Sequence, residues 1–334
     1  MKALVTGGGG FLGGVIVRML VERGDEVVSF SRSEYPELQK LGVKQVKGDL
    51  GDREAVIKAA AGCDVIFHVA AKAGIWGALD EFYRANVTGT ANVLEACRAH
   101  NIPRLVHTSS PSVVFDGTDV EGGDESLPYP SRYEAHYPAT KALAEQMVLA
   151  ANSPELATVA LRPHLIWGPG DNHLVPRIIA KARAGRLRRI GKRDCLVDTV
   201  YVDNAALAHL QAADRLVPGA PLAGKAYFIS NDEPLPLWDM VNRILAAAQL
   251  PPVTRTVSPG VAYAAGVLCE KIWGLLHLRG EPPMTRFVAH ELATAHWFKM
   301  DAARKDLGYQ PEVSISEGLV RLEQWLQNGN RFPC

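Results

Sequence analysis

Residues 2–24, "KALVTGGGGFLGGVIVRMLVERG", set a short apolar run against a block of glycines and then an apolar pattern of helical length. The run has the length and content of a β-strand, and the pattern behind it has helical spacing. Gly7, Gly10 and Gly13 fall at GxxGxxG spacing on the junction. At a strand-to-helix junction the first glycine permits a tight turn and the second lets a pyrophosphate approach the backbone. The third lets the helix pack on the strand, so that the phosphates rest on the positive helix N-terminus. Glycine runs also occur in linkers; the position directly behind a first strand is what makes this one a dinucleotide site.

The same alternation continues outward. "EVVSFS" (26–31), "VKQVKG" (43–48), "DVIFHVA" (64–70), a helical stretch from Leu79 to His100 and "RLVHTSS" (104–110) follow in order. Their near-continuous apolar runs suit strands covered by helices on both faces. Repeated strand–helix units imply right-handed crossovers and an α/β, doubly wound parallel sheet, a Rossmann fold. Its expected extent is residues 1–166. Beyond "TVALRPHLIWGPGD" (158–171) the alternation becomes irregular, and a smaller, mostly helical C-terminal substrate domain is expected over 167–334. Segments near 196–230, with strands near Asp198 and Lys225, are expected to return to the first sheet. The polar stretch 116–136 reads as a long loop, of the kind that is functional or mobile.

Lys plus Arg and Asp plus Glu balance at 36 each, so net charge points to neither nucleic acid nor an acidic membrane surface. Cys63, Cys97, Cys195, Cys269 and Cys334 are scattered, with no CxxC and no metal-ligand spacing. Free thiols in a reducing cytosol follow, and no metal. "MKALVTGG" is too short for a signal peptide's apolar region, and "GVAYAAGVLC" stops at Glu270 and Lys271, short of a membrane span. The expectation is a soluble, cytoplasmic protein whose contact with membrane is at most peripheral.

A carboxylate at the end of the second strand would bond a ribose 2′-hydroxyl and repel a 2′-phosphate. "VVSFSRSEY" (27–35) places Ser31 and Arg32 there instead. A guanidinium grips phosphate in bidentate fashion and a serine adds a hydrogen bond, which favours NADP over NAD. "KGDL" ends the third strand, with Asp49 and Leu50 placed for the adenine, although Asp49 equally suits a helix cap. "HVAAKAG" ends the fourth and brings the backbone of Ala70 and Ala71 beside the pyrophosphate.

"HYPATKALAEQ" (136–146) holds Tyr137 and Lys141 four residues apart, on one helical face. An ordinary capped helix also accommodates that spacing. Chemistry decides between them. A carbonyl that receives hydride develops negative charge on oxygen and needs a proton. A tyrosine hydroxyl supplies one when a nearby ammonium stabilises its phenolate. Ser110, at the end of the fifth strand, is placed to hydrogen-bond the same oxygen; Thr108, Ser109 and Ser112 remain alternatives to it.

"TGGGGFLG", "GDL", "HVAA", "NVTGTANVL", "TSS", "YPATK" and "LRPHLIWGPGD" stand in the order of the extended short-chain dehydrogenases/reductases, which the whole chain resembles. "DTVYVDNAALAH", "YFISNDEP" and "LGYQPEVSISEGL" resemble the 3β-hydroxysteroid dehydrogenase branch. The resemblance implies Ser110, Tyr137 and Lys141 as the catalytic set. It implies Gly7, Gly10, Phe11, Leu12, Gly13, Arg32, Asp49, Leu50, Lys141, Pro163 and Leu165 as cofactor contacts, and a mostly structural Asn86. Within the branch, "AAKAGIWG", "RSEYPELQKLGV" and "LRGEPPMTRF" are similar to bacterial reductases of 2-alkyl-3-oxoalkanoic acids in long-chain olefin biosynthesis. That implies a long-chain acyl-derived substrate, with the other olefin-pathway enzymes and a second copy of the chain as protein partners.

The alternatives within the broad family are a 3β-hydroxysteroid dehydrogenase or dehydrogenase/isomerase, and a nucleotide-sugar epimerase or dehydratase. A non-catalytic NADP-binding sensor is the alternative outside enzymes. His164, His173 and Arg177 are candidates for orienting a substrate carboxylate. The stretch 258–287 reads as core, as an acyl channel, or as a surface for a partner or membrane.

An Arg32→Asp variant tests the cofactor expectation. The wild type should prefer NADPH over NADH by about tenfold or more, which needs only ~1.4 kcal/mol from the 2′-phosphate contacts. The variant should lose that preference in kcat/KM; equal efficiency of the two cofactors in the wild type would refute the assignment.

Overall fold

Five short apolar segments from the first third of the chain pair side by side as β1 (Lys2–Thr6), β2 (Glu26–Ser31), β3 (Lys44–Lys47), β4 (Val65–His68) and β5 (Arg104–Thr108). The structure is a computed structural model that describes residues 1–330 and 332. Strands Ala157–Pro163 and Lys225–Ile229 complete a seven-stranded sheet in the order 225–229, 157–163, β5, β4, β1, β2, β3, with every pair parallel. Side chains alternate between faces. Leu4, Val28, Phe30, Ile66 and Leu105 pack with Val56, Val93 and Leu94 on one side. Ala3, Val5, Val27, Phe67, Val106 and Val159 pack with Ile16, Val17 and Leu20 of helix Phe11–Glu22 on the other. With both faces buried, no polar alternation survives in the sequence. Strand order reverses between β1 and β4, and at that switch point the ligand crevice of such sheets opens beyond the carboxyl ends.

The stretch from Leu79 to His100 is not one regular helix. Helix Leu79–Phe82 runs into a π-turn over Tyr83–Thr88 before helix Gly89–Ala99 resumes. The cause lies in Asn86, which is 2% exposed. Its Oδ1 accepts from the Lys72 amide at 2.7 Å, and its Nδ2 donates to the Lys72 carbonyl at 3.1 Å and to Thr140 Oγ1 at 3.0 Å. A widened turn is how a helix aims one side chain inward at such a site.

The polar stretch 116–136 contains a strand, Val120–Gly123, parallel to His296–Phe298. Leu196–Val197 and Leu235–Pro236 extend that second, four-stranded sheet. A strand near Asp198 was expected in the central sheet, and the structure corrects this. The free edge of strand 157–163 is taken by Lys225–Ile229, so the 196–197 segment pairs elsewhere. Helix Val202–Arg215 lies against helix Phe11–Glu22, with Arg18 and Asp203 joined at 3.0 Å.

Helix Pro259–Leu275 buries only Ala262 and Gly266. Leu268, Leu275 and the adjoining Leu276 are 59%, 81% and 60% exposed, so these apolar positions are surface rather than core. Among the described residues no helix is long and apolar enough to cross a membrane. Cys63, Cys97 and Cys195 are buried free thiols and Cys269 is partly buried; Cys334 lies outside the described residues. Burial pushes the Cys63 thiol up to about 11 and that of Cys97 to about 12.

Helix His136–Ala150 is locked to the sheet by a buried ion pair. Arg162 donates through Nε to Glu145 Oε2 at 2.9 Å and through Nη2 to Oε1 at 2.6 Å, and Tyr129 donates to Oε1 at 2.6 Å. Burial alone would raise the Glu145 carboxyl, but Arg162 and Tyr129 hold it below the usual range. Glu145→Gln leaves Arg162 buried with its charge uncompensated, and should cost about 3–5 kcal/mol in urea unfolding. A Glu145→Gln/Arg162→Met double variant should cost less than the sum of the singles; additive losses would mean that the pair does not act as a unit.

Candidate active site

The turn after β1 is pressed into a small space. Gly7 adopts φ +73°, and a Cβ there would stand 3.0 Å from Ala70 Cα. A Cβ on Gly13 would stand 2.2 Å from the Gly7 carbonyl, which also accepts from the Gly10 amide at 2.8 Å. Phe11 and Leu12 then open a 12-residue helix whose N-cap, Gly10, offers no side chain to its first amides. Those amides are left for an anion. Thr6 Oγ1 accepts from the amides of Val69 at 3.1 Å and Ala70 at 3.2 Å, which brings Ala70 and Ala71 alongside the turn.

At the end of β2 the Ser31 hydroxyl is buried without a partner, beside an exposed Arg32. An orphaned hydroxyl next to a free guanidinium fits a phosphate or hydroxyl of a bound nucleotide. Asp49 accepts from the Gly51 amide at 2.7 Å, and it is Asp52 that caps the next helix, through the Ala55 amide at 3.1 Å. Asp49 is therefore not the cap. Leu50 packs on the helix at Gly89, and its carbonyl accepts from Asn92 at 2.7 Å.

Tyr137 and Lys141 sit in the first turns of helix His136–Ala150, at the carboxyl edge of the sheet. Lys141 is 2% exposed, and its ammonium donates to the Thr108 carbonyl at 2.6 Å with His107 Nε2 at 3.3 Å. Burial pulls its pKa down to about 8, against the opposing field of Glu145. Burial raises the Tyr137 phenol; the Ser110 hydroxyl opposes that rise and the Glu291 carboxylate adds to it.

The serines after β5 separate by direction. Thr108 Oγ1 bonds His209 Nε2 at 2.8 Å, and Ser109 is 4% exposed with its amide donating to Leu161 O at 2.6 Å. Ser112 Oγ sits 2.9 Å from Ser110 Oγ, and Ser110 is the one facing the Tyr137 phenol. The structure thus brings Ser110, Tyr137 and Lys141 to one edge, with the ammonium engaged by sheet backbone rather than by the phenol.

Pro163 ends its strand, and Leu165 follows in the left-handed region at φ +45°. The three basic residues considered for a substrate carboxylate part company. His164 is buried on Asp198, whereas His173 and Arg177 are exposed, Arg177 meeting Glu281 at 2.9 Å. Two groups escaped the sequence reading. Glu291, whose carboxyl burial pushes up to about 7, comes from helix Arg286–Glu291, and His296 meets His164 from a strand 132 residues away in the chain. Neither had a local signal. Among the described residues no group of His, Cys, Asp and Glu is arranged to hold a metal ion.

The sequence compares closely with characterised proteins. It is 59% identical over 325 residues to a 2-alkyl-3-oxoalkanoate reductase from Stenotrophomonas maltophilia (strain K279a), covering 97% of this chain and 98% of that one. It is 51% identical to a 2-alkyl-3-oxoalkanoate reductase from Shewanella oneidensis, covering 96% of this chain and 85% of that one. The fold matches that of the UDP-glucose 4-epimerase from Thermus thermophilus in complex with NAD, at a TM-score of 0.75 and 24% identity over 99% and 100% of the two chains. Residues 4–257 match the profile of the 3-beta hydroxysteroid dehydrogenase/isomerase family. The parallel sheet, the glycine turn and this match over most of its length agree: the chain belongs to the 3-beta hydroxysteroid dehydrogenase/isomerase family.

Proposed function

We propose that this protein reduces the 3-oxo group of a long-chain 2-alkyl-3-oxoalkanoic acid to the hydroxyl, using NADPH, as a step of long-chain olefin biosynthesis. The observation that carries the reading is near-full-length identity of 59% to a reductase of that name, in a chain whose Ser110, Tyr137 and Lys141 meet at one edge. The orphaned Ser31 hydroxyl beside Arg32 supports the 2′-phosphate form of the cofactor.

The glycine turn, the uncapped amides at Phe11 and Leu12, and the backbone of Ala70 and Ala71 would hold the pyrophosphate. Ser31 and Arg32 would hold the 2′-phosphate, Asp49 and Leu50 the adenine, and Lys141, Pro163 and Leu165 the nicotinamide end. When bound, the cofactor supplies the hydride. Tyr137 gives its phenolic proton to the carbonyl oxygen, worth roughly 10² to 10⁴ in rate. Ser110 donates its one hydroxyl hydrogen bond to that oxygen in place of the one it gives the phenol before substrate binds. Lys141, fixed by the Thr108 carbonyl, keeps a positive charge behind the site while pH stays below its value of about 8. Partial burial of Tyr137 keeps water from competing for the proton.

The reverse reaction is the practical test, because free β-keto acids lose carbon dioxide. A synthetic long-chain 2-alkyl-3-hydroxyalkanoic acid with NADP⁺ should generate NADPH, and its efficiency should rise with chain length, at ~0.8 kcal/mol per buried methylene, until the pocket is full. Tyr137→Phe should bind cofactor normally while losing most of that turnover. Efficient oxidation of a 3β-hydroxysteroid, with the branched hydroxy acid left untouched, would overturn the substrate assignment.

A pH profile tests Lys141. The group is charged below about 8 and neutral above it, so kcat/KM for ketone reduction should fall as pH rises through that value. In Lys141→Arg the limb should move to higher pH; a limb that stays in place belongs to another group.

A further inference from the structure

Leu165 holds a left-handed backbone, at φ +45°, that a branched aliphatic side chain seldom adopts. Such a conformation persists where surrounding contacts over-determine it. Here they are unusually complete. The His164 amide donates to the Ile229 carbonyl at 3.0 Å, and on the far side Ile166–Trp167 pairs with Val200–Tyr201. Between them the His164 ring, in a residue only 8% exposed, bonds Asp198 Oδ1 through Nδ1 at 2.5 Å and His296 Nδ1 through Nε2 at 3.1 Å. Asp198 and His296 are themselves 1% and 6% exposed.

Donors and acceptors in this chain fix one another. The Glu291 carbonyl can only accept, so His296 Nε2 donates to it, at 2.9 Å. Burial, with His164 adding to it, lowers the His296 pKa to about 4, so the ring is neutral and its Nδ1 accepts from His164 Nε2. His164 Nδ1 must then share a proton with Asp198 Oδ1, while Asp198 Oδ2 accepts from the Phe298 amide at 3.0 Å. Every polar atom of the three side chains is thereby used, and the chain of bonds joins the 163–165 turn to the end of the helix that carries Glu291. A buried histidine–carboxylate contact adds little net stability once desolvation is counted, and its value lies in the geometry it specifies.

We propose that Asp198, His164 and His296 are positioning residues that hold the 163–165 turn in its left-handed form as the seat of the cofactor's nicotinamide half, and couple it to the Glu291 end of helix Arg286–Glu291. This rests on the reading of the chain as a nicotinamide enzyme. The three side chains act through the turn, not on the reacting atoms.

The test compares two ligands by calorimetric titration: NADPH, and 2′-phospho-ADP-ribose, which shares everything but the nicotinamide. Asp198→Leu keeps the bulk but offers no oxygen, so the His164 Nδ1 and the Phe298 amide both lose the acceptor they share. His164→Gln removes the ring that spans Asp198 and His296. Both variants should raise the Kd for NADPH about tenfold, as expected for losing a hydrogen bond to a charged group. Both should bind 2′-phospho-ADP-ribose as the wild type does, which also shows that they are folded. Equal weakening of the two ligands, or no change in NADPH binding, would overturn the inference. If the wild type binds neither NADPH nor NADH, the cofactor reading fails and the inference falls with it.

Discussion

The Glu145–Arg162 pair is the constraint on which the site depends. Tyr137, Lys141 and Glu145 follow at intervals of four and therefore form one stripe on helix His136–Ala150. Two hydrogen bonds from Arg162 hold the last member of that stripe, which fixes the rotation of the helix about its own axis as well as its distance from the sheet. A hydrophobic contact would tolerate sliding and rolling; a bidentate guanidinium does not. Desolvation offsets most of what such a buried pair gives to stability, so orientation is what it supplies. Glu145 also raises the pKa of Lys141, opposing the burial that would otherwise leave the lysine still weaker as a cation.

The other end of the helix is governed by Asn86. Its amide grips the backbone of Lys72 on both sides and reaches Thr140, next to Lys141, so the loop after β4 and helix His136–Ala150 share one anchor. The π-turn is the backbone cost of that arrangement, and an unusual helical turn beside a candidate site is where such features tend to occur. Asn86, Lys141 and Glu145 each tie this helix to a different neighbour, the loop after β4, the end of β5 and strand 157–163.

Legibility in the sequence followed the range of the forces. β1 to β5 were visible because strands buried on both faces leave runs of Val, Ile and Leu that owe nothing to distant residues. The glycine turn and the Tyr137/Lys141 spacing are likewise local backbone facts. Which hydroxyl faces Tyr137 was harder to read: four stand within five residues, and only the side on which each faces, visible once β5 is placed, separates them. The small second sheet was illegible because strands of two to four residues carry no periodicity. The His164–Asp198–His296 chain was equally hidden, since its members lie 34 and 132 residues apart from His164 and are joined by folding alone.

The exposed stripe on helix Pro259–Leu275 bears on how the molecule behaves as a colloid. With 36 basic and 36 acidic side chains it carries no net charge at neutral pH, so copies approaching one another meet no long-range repulsion. Leu268 and Leu275 then present apolar surface that only a layer of water separates from the next molecule. Without net repulsion, contacts between such apolar faces weigh more in how copies meet. Simple salts have little repulsion to screen, and strongly hydrated anions such as sulfate, by favouring burial of that stripe, draw the molecules together.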